Sequence, residues 1–340
     1  IDGGDTTVIS SQSAVDLAEM DISGNLVVRG VGITQTGALK VSGFARFDAG
    51  AGELILDHAD NRFDGVVRLQ NSDEHDVAIT QGGTHKLTLD AATLGSGKLT
   101  VTAGGVITQA GAITQAADAG LAQFITGDRA ITLNHADNQF RGAVSLKNTG
   151  EHDIAIENSS DLVLDRTITD GNLTVRVAGA LTQSGDGITV GGRTDITADS
   201  IRVGNNPPFE TESITFNTTG EAIVNSTNGK NIRIAGVNTA ASLTMRSDGI
   251  IESTSDAQIT VTGNASIKAD NGESKAEAIL LADGADERIE IGGEVWFQAL
   301  NSGAIKIDTA GTAHFGSIRF TTEGAVNIAE DSAMLLTNAS

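Results

Sequence analysis

The chain has 340 residues, 39% of them hydrophobic, with ten Phe, one Trp, no Tyr and no Cys. Its 44 acidic against 22 basic residues give a net charge of −22, which argues against a surface built to attract phosphate backbones or anionic lipid. No apolar run approaches the ~20 residues of a membrane-spanning helix, and without Cys there is neither disulfide nor thiolate chemistry. A single ordinary core is not expected at this length; two or three domains, or one elongated array, are. Apolar mass drawn from Val, Ile, Leu and Ala suits a narrow interior packed in layers. With 41 Gly and two Pro, many turns and few chain breakers fit a long series of short strands.

Residues 1–24 carry few strand signals and read as a lead-in. The start at Ile1, with no signal peptide and no initiator Met, reads as a piece of something longer. From Asn25 the pattern is regular. Triplets such as Leu54-Ile55-Leu56, Val67-Arg68-Leu69, Val77-Ala78-Ile79 and Leu99-Thr100-Val101 alternate apolar, middle, apolar. That period of two is the strand signal, and the intervening Gly, Asp, Asn and Ser are turn formers. Ala110–Phe124 is rich in Ala and Gln and reads as a short helix or an irregular loop.

Residues 25–204 repeat themselves. The segment Leu54–Ile79 returns as Ile131–Ile156 at an offset of 77, with 15 of 26 positions identical. Both copies hold the phrase His-Ala-Asp-Asn, at His58–Asn61 and His135–Asn138. The flanking phrases beginning at Asn25, Lys98 and Asn172 place Leu26, Leu99 and Leu173 at offsets of 73 and 74. Beyond, residues 205–340 keep the rhythm without the wording, and Pro207-Pro208 reads as a protruding loop at the change of texture.

Strands this short cannot support hairpin cores of their own. Wound into a solenoid, each turn lies in parallel on the last and its inward residues join one stack. The expectation is an all-β, right-handed parallel β-helix. Two triplets per turn, with a third short strand near Phe63 and Phe140, give 19–20 residues a turn and about 17 turns. The large repeat then equals four turns. Leu69 and Leu146 become equivalent inward positions, as do Ile79 and Ile156. A tandem of β-sandwich domains is the rival, and usually carries more aromatics and Pro.

The phrases "NLTV…AGALTQSG", "ITLNHADNQFRGAVSL" and "DLVLDRTITDGNLTV" resemble the rod repeats of filamentous-haemagglutinin-type exoproteins. These are large adhesins that Gram-negative bacteria export by two-partner secretion. The resemblance covers residues 25–204. It implies a right-handed parallel β-helix, an extracellular or cell-surface location, an outer-membrane transporter during export, and host or matrix glycans and proteins as partners. It supplies no site residues, and the family's Asn-Pro-Asn-type secretion motif is not matched by Asn206-Pro207-Pro208.

Calcium is the one cofactor the residues suggest. Asp57, Asp60, Asn61 and Asp64, or Asp283 and Asp286 around Gly284, offer oxygen ligands. Neither the EF-hand spacing nor a glycine-rich nonapeptide is present, and Asp or Asn in turns ordinarily satisfies backbone groups. Four of six His fall in the duplicated unit, with His58–His75 and His135–His152 each 17 apart; hydrogen-bonded turn histidines explain them better than a metal does. No nucleophile elbow, P-loop, HExxH or dinucleotide fingerprint occurs. The functional expectation is a non-catalytic structural or adhesive segment of a secreted fibre or biofilm protein, its neighbours being further repeats or subunits end to end. The alternative is a polysaccharide-active β-helix of pectate-lyase-like type, for which Trp296 stands alone as a sugar-stacking ring.

Overall fold

The computed structural model describes residues 2–10, 13–204, 208–227, 229–270, 277–308, 310–331 and 333–337. The described chain is all strand and turn, without helix, and forms a parallel β-solenoid of about 15 turns. Two compact units divide it, residues 1–174 and 175–340.

In the first unit, each turn crosses up to three sheets. One sheet begins Thr6–Ile9, Leu26–Arg29, Ala45–Asp48, Val66–Gln70. A second runs Val15–Leu17, Ile33–Gln35, Leu54–Leu56, Val77–Gln81, Leu99–Ala103, Ala122–Thr126, Ala143–Lys147. A third holds Asp2–Gly3, Met20–Ile22, Leu39–Val41 and Arg62–Phe63. These pairings are parallel, which excludes hairpin-built sandwiches. Strands therefore occupy the weakly patterned lead-in. Ala110–Phe124 also holds strand, with Ile113–Gln115 and the start of Ala122–Thr126 where a helix or loop was expected. Its Ile113 and Phe124 are fully buried, so stacking on neighbouring turns outweighs the helix preference of the Ala and Gln between them.

The inward residues make columns. Leu56, Ile79, Val101, Phe124 and Leu146 lie on successive turns of the second sheet, all at most 1% exposed. Each such side chain contributes about 1.5–3 kcal/mol of hydrophobic stabilisation. Phe63 closes edge-to-face on Phe47 at 6.0 Å, and Phe140 on Phe124 at 5.8 Å. The expected third strand is present at Phe63; near Phe140 only Gln139 bridges, to Thr114. At the corners, turns approach too closely for side chains. A Cβ on Gly65 would lie 2.3 Å from the Gly43 carbonyl, and one on its copy Gly142 2.1 Å from that of Gly120.

The turn is longer than 19–20 residues, and this changes the meaning of the repeat. Register partners in the second sheet are 18 residues apart at Val15–Ile33 but 23 at Leu54–Val77 and at Leu99–Ala122. In the second unit, steps such as Leu181–Ile201 and Ala222–Leu243 are 20 and 21, but Ala265–Val295 is 30. Residues inserted at corners lengthen the turn, so 340 residues make about 15 turns instead of 17. The 77-residue offset is then three and a half turns, not four. Ile79 lies in the second sheet, in the column that ends on Leu146. Its copy Ile156 stacks on Leu133, in the column that starts from Val67 and Leu89. Leu69, the counterpart of Leu146, stacks on Phe47 in the first sheet. All four are inward, as expected, but successive copies exchange sheets. At ~4.8 Å per turn the copies lie about 17 Å apart along the axis.

A deletion tests this. Removing residues 74–150 takes out one whole copy, three and a half turns, and rejoins equivalent positions. The variant is expected to fold, with β circular dichroism and an unfolding enthalpy lower by roughly a fifth. Loss of cooperative melting in this variant would show that the two copies are not equivalent.

Candidate functional site

The duplicated corner is where the repeated polar residues gather. Asn61 is 1% exposed. Its Oδ1 accepts the Leu39 N–H at 2.9 Å and the Gln35 amide at 2.8 Å. Its Nδ2 donates to Gln35 Oε1 at 2.9 Å and to the Leu56 carbonyl at 3.0 Å. The second copy repeats this. Asn138 accepts from Ile113 N at 2.9 Å and Gln109 Nε2 at 2.8 Å, and donates to Gln109 Oε1 at 2.9 Å and the Leu133 carbonyl at 3.1 Å. The two repeated phrases are thus one device: Gln35 and Gln109, each preceded by Thr, pair with the Asn of the His-Ala-Asp-Asn that follows. In the second unit Gln183 accepts the Gly204 N–H and donates to the Pro208 carbonyl, both at 2.8 Å. Pro207 lies outside the described residues.

A second buried amide closes each corner. Gln81 Oε1 accepts the Phe63 N–H at 2.9 Å, and its counterpart Asn158 accepts that of Phe140 at 2.8 Å. Side-chain oxygens of Asp5, Asn25, Asp76 and Asp153 each accept a backbone N–H of the next turn, from Asn25, Phe44, Lys98 and Asn172, at 2.8–2.9 Å. In the second unit Asn231 and Asn264 do the same for Ile250 and Glu294.

The calcium candidates divide. Both acceptor directions of the Asn61 carbonyl are taken by the bonds above, which removes it from any cation site. Asp64 is ion-paired with Arg62 at 2.8 Å, and Asp57 and Asp60 are exposed. Asp283 and Asp286 are exposed on the turn after Leu281. Among the described residues no group of three His, Asp or Glu stands close enough to hold a metal ion. The histidines serve turns: His58 Nδ1 accepts the Asp60 N–H, and His135 Nδ1 that of Asp137, both at 3.2 Å. The His75 carbonyl accepts from Asn71 at 2.8 Å, and the His152 carbonyl from Asn148.

One titratable group escaped the sequence reading. Glu287 is 2% exposed, accepts the Ser253 hydroxyl and packs at Gly284, and Ser253 Oγ in turn accepts the Ala282 N–H at 3.2 Å. Burial pushes its carboxyl above the usual glutamate range; the Ser253 hydroxyl opposes this, and the adjacent Asp283 adds to it. No signal in the chain distinguishes this Glu from exposed ones. A groove of about 510 Å³ in the second unit is lined by Glu210, Lys230, Arg233 and Glu252 among others. Four of its charges pair, Lys230 with Glu210 at 3.5 Å and Arg233 with Glu252 at 2.8 Å, and Glu212 also lines it.

This geometry defines a repeat-built parallel β-solenoid whose duplicated polar residues act within the scaffold. The chain belongs to the family described as repeats of unknown function (DUF5649), which matches three times, over residues 3–70, 74–147 and 151–207. Together the matches cover more than half of the chain. No curated protein and no solved structure matches it.

Asn61→Ala leaves the Leu39 N–H and the Leu56 carbonyl buried without their partner and is expected to cost about 2–4 kcal/mol. His58→Ala, which removes one exposed turn acceptor, should cost under about 0.5 kcal/mol. Equal costs in denaturant melts would refute the bracket. For Glu287, the folded protein holds the proton more tightly than the unfolded chain. Its contribution is therefore complete at acid pH and is lost as pH rises through the raised folded value. Glu287→Gln should stabilise the second unit at neutral pH by about 1 kcal/mol, the gain vanishing on acidification. A gain independent of pH would contradict the assignment.

Proposed function

We propose that the chain is a non-catalytic structural segment of an extracellular surface or matrix fibre, spacing and presenting adhesive surfaces. The observation that supports it is what the copies keep and what they change. Kept are the inward Leu, Ile and Phe, the buried Asn, the corner Gly and exposed turn residues such as Asp60, Glu74, His75 and Asp76. Changed are outward strand and corner residues: Ile55 to Thr132, Arg62 to Gln139, Asp64 to Arg141, Gln70 to Lys147; exposed Arg68 becomes Ser145, which is buried and donates to the Arg166 carbonyl. Duplication has preserved a scaffold with its turns and let outward strand positions diverge, as a spacer with adjustable contacts requires. A chain with no Cys also meets no cross-link while crossing an outer-membrane transporter unfolded. In the producing cells, surface proteolysis and fractionation should find the protein outside the outer membrane or in the matrix. Retention in the cytosol of intact cells would end this reading.

A further inference from the structure

The chain's single Trp lies on the outside of a strand. Within Arg288–Ala299, Val295 and Phe297 point inward and are fully buried, while Trp296 between them is partly exposed. Its register partner on one side is Arg319, whose guanidinium carbon stands 4.2 Å from the ring centroid. On the other side the partner is Ser266, too small to cover an indole. The indole N–H donates to Thr321 Oγ1 at 3.2 Å, which fixes the tilt of the ring. Lys268 stands two residues beyond Ser266 on the neighbouring strand, also partly exposed.

Among the described residues neither Lys268 nor Arg319 forms an ion pair, whereas Arg288, Lys306 and His314 nearby in the sequence each face a carboxylate. Arg319 Nε is shielded from water and finds no acceptor. Glu294, two residues before Trp296, has Oε2 occupied by the Thr337 hydroxyl at 2.8 Å. The surface therefore combines an anchored aromatic ring, open on one face, with Lys268 on the open side and Arg319 stacked on the other.

We propose that this surface binds an acidic polysaccharide. A pyranose ring lies on the face of Trp296 turned toward Ser266, and its carboxylate is met by Lys268 on that side, while Arg319, stacked on the opposite face, holds the indole in place. Adjacent strands are ~4.8 Å apart and alternate residues ~7 Å apart, so ring and Lys268 together span about one sugar unit. The net charge of −22 does not forbid this, because acids beyond the ~8 Å Debye length are screened at physiological salt. The proposal deepens the adhesive reading, on which its biological use rests; its test uses the purified chain and is indifferent to where the protein resides.

With one Trp and no Tyr, intrinsic fluorescence reports Trp296 alone. Titration with polygalacturonate should give a saturable change that weakens with salt. Dextran should give none, and polyglutamate, which carries the charge without the ring, should bind at least tenfold more weakly. Lys268→Gln and Arg319→Gln should each weaken polygalacturonate at least tenfold with melting temperature unchanged. Trp296→Ala should abolish retardation in affinity electrophoresis. No response to polygalacturonate overturns the proposal, as does an equal response to dextran or polyglutamate. So does undiminished binding by folded Lys268→Gln, which carries the test alone where Arg319→Gln fails to fold.

Discussion

The interaction on which the first unit depends is the buried amide at its corners. A parallel ladder satisfies the backbone only where strands lie on strands; where the chain bends, donors and acceptors lose partners and are still covered by the next turn. Asn61 and Asn138 fill that deficit with a carbonyl that accepts twice and an amide that donates twice. An unpaired buried polar group costs about 1–3 kcal/mol, more than the net gain of the ~1 kcal/mol bond that replaces it. The bracket thus acts mainly by preventing a penalty. Asn and Gln suit it because their side chains carry both donor and acceptor without charge, whereas Asp would bring an ionised group into the interior.

A second constraint follows from the length of the copy. Because 77 residues make three and a half turns, each corner device is built alternately on opposite sides of the stack. The device works on either side because it bonds only to the turns just below and above, which repeat with it. Gln35 reaches Asn61 across 26 residues and Gln109 reaches Asn138 across 29, and the three extra residues are absorbed in the loop between them. The geometry that matters is the height of one turn; the number of residues spent in reaching it varies.

Much of this was legible in the chain. The alternation at Leu54–Leu56 or Leu99–Val101 identifies strands because burial on one face is a local demand. The parallel solenoid follows because such strands have no other way to bury that face. The turn count did not follow, since corner insertions carry no period and the triplet rhythm averages over them. Nor did the sheet exchange, because Leu69 and Leu146 look identical whichever sheet they join. The Asn–Gln bracket had a signal, two phrases repeating together at one spacing, but its partner groups are backbone and leave no mark in the sequence. Of the oxygen-rich residues suggested for calcium, Asn61 is indistinguishable from an exposed turn Asn until the covering turn is placed over it. Glu287 is hidden for the same reason, its burial being set by the loop after Leu281 and by Ser253, 34 residues earlier.

Sheet exchange also limits where a surface function can arise. A contact residue copied with the repeat would reappear on the other side of the stack, and would face the same way again only after two copies, about 34 Å along the axis. A ligand read by a ladder of like residues on one side therefore gains nothing from duplication, and outward positions such as Asp64 and Arg141 diverge. Residue-specific recognition is freer to develop where the copies have lost their wording and single positions evolve alone. Trp296 and Arg319 stand in that part of the chain, beyond the last matched repeat at residue 207. They are one turn apart, brought face to face by a register that the core residues Val295, Phe297 and Ile318 impose. The scaffold's contribution to such a site is this register: it fixes neighbours across a turn to within a strand spacing and leaves the chemistry of the pair to the sequence.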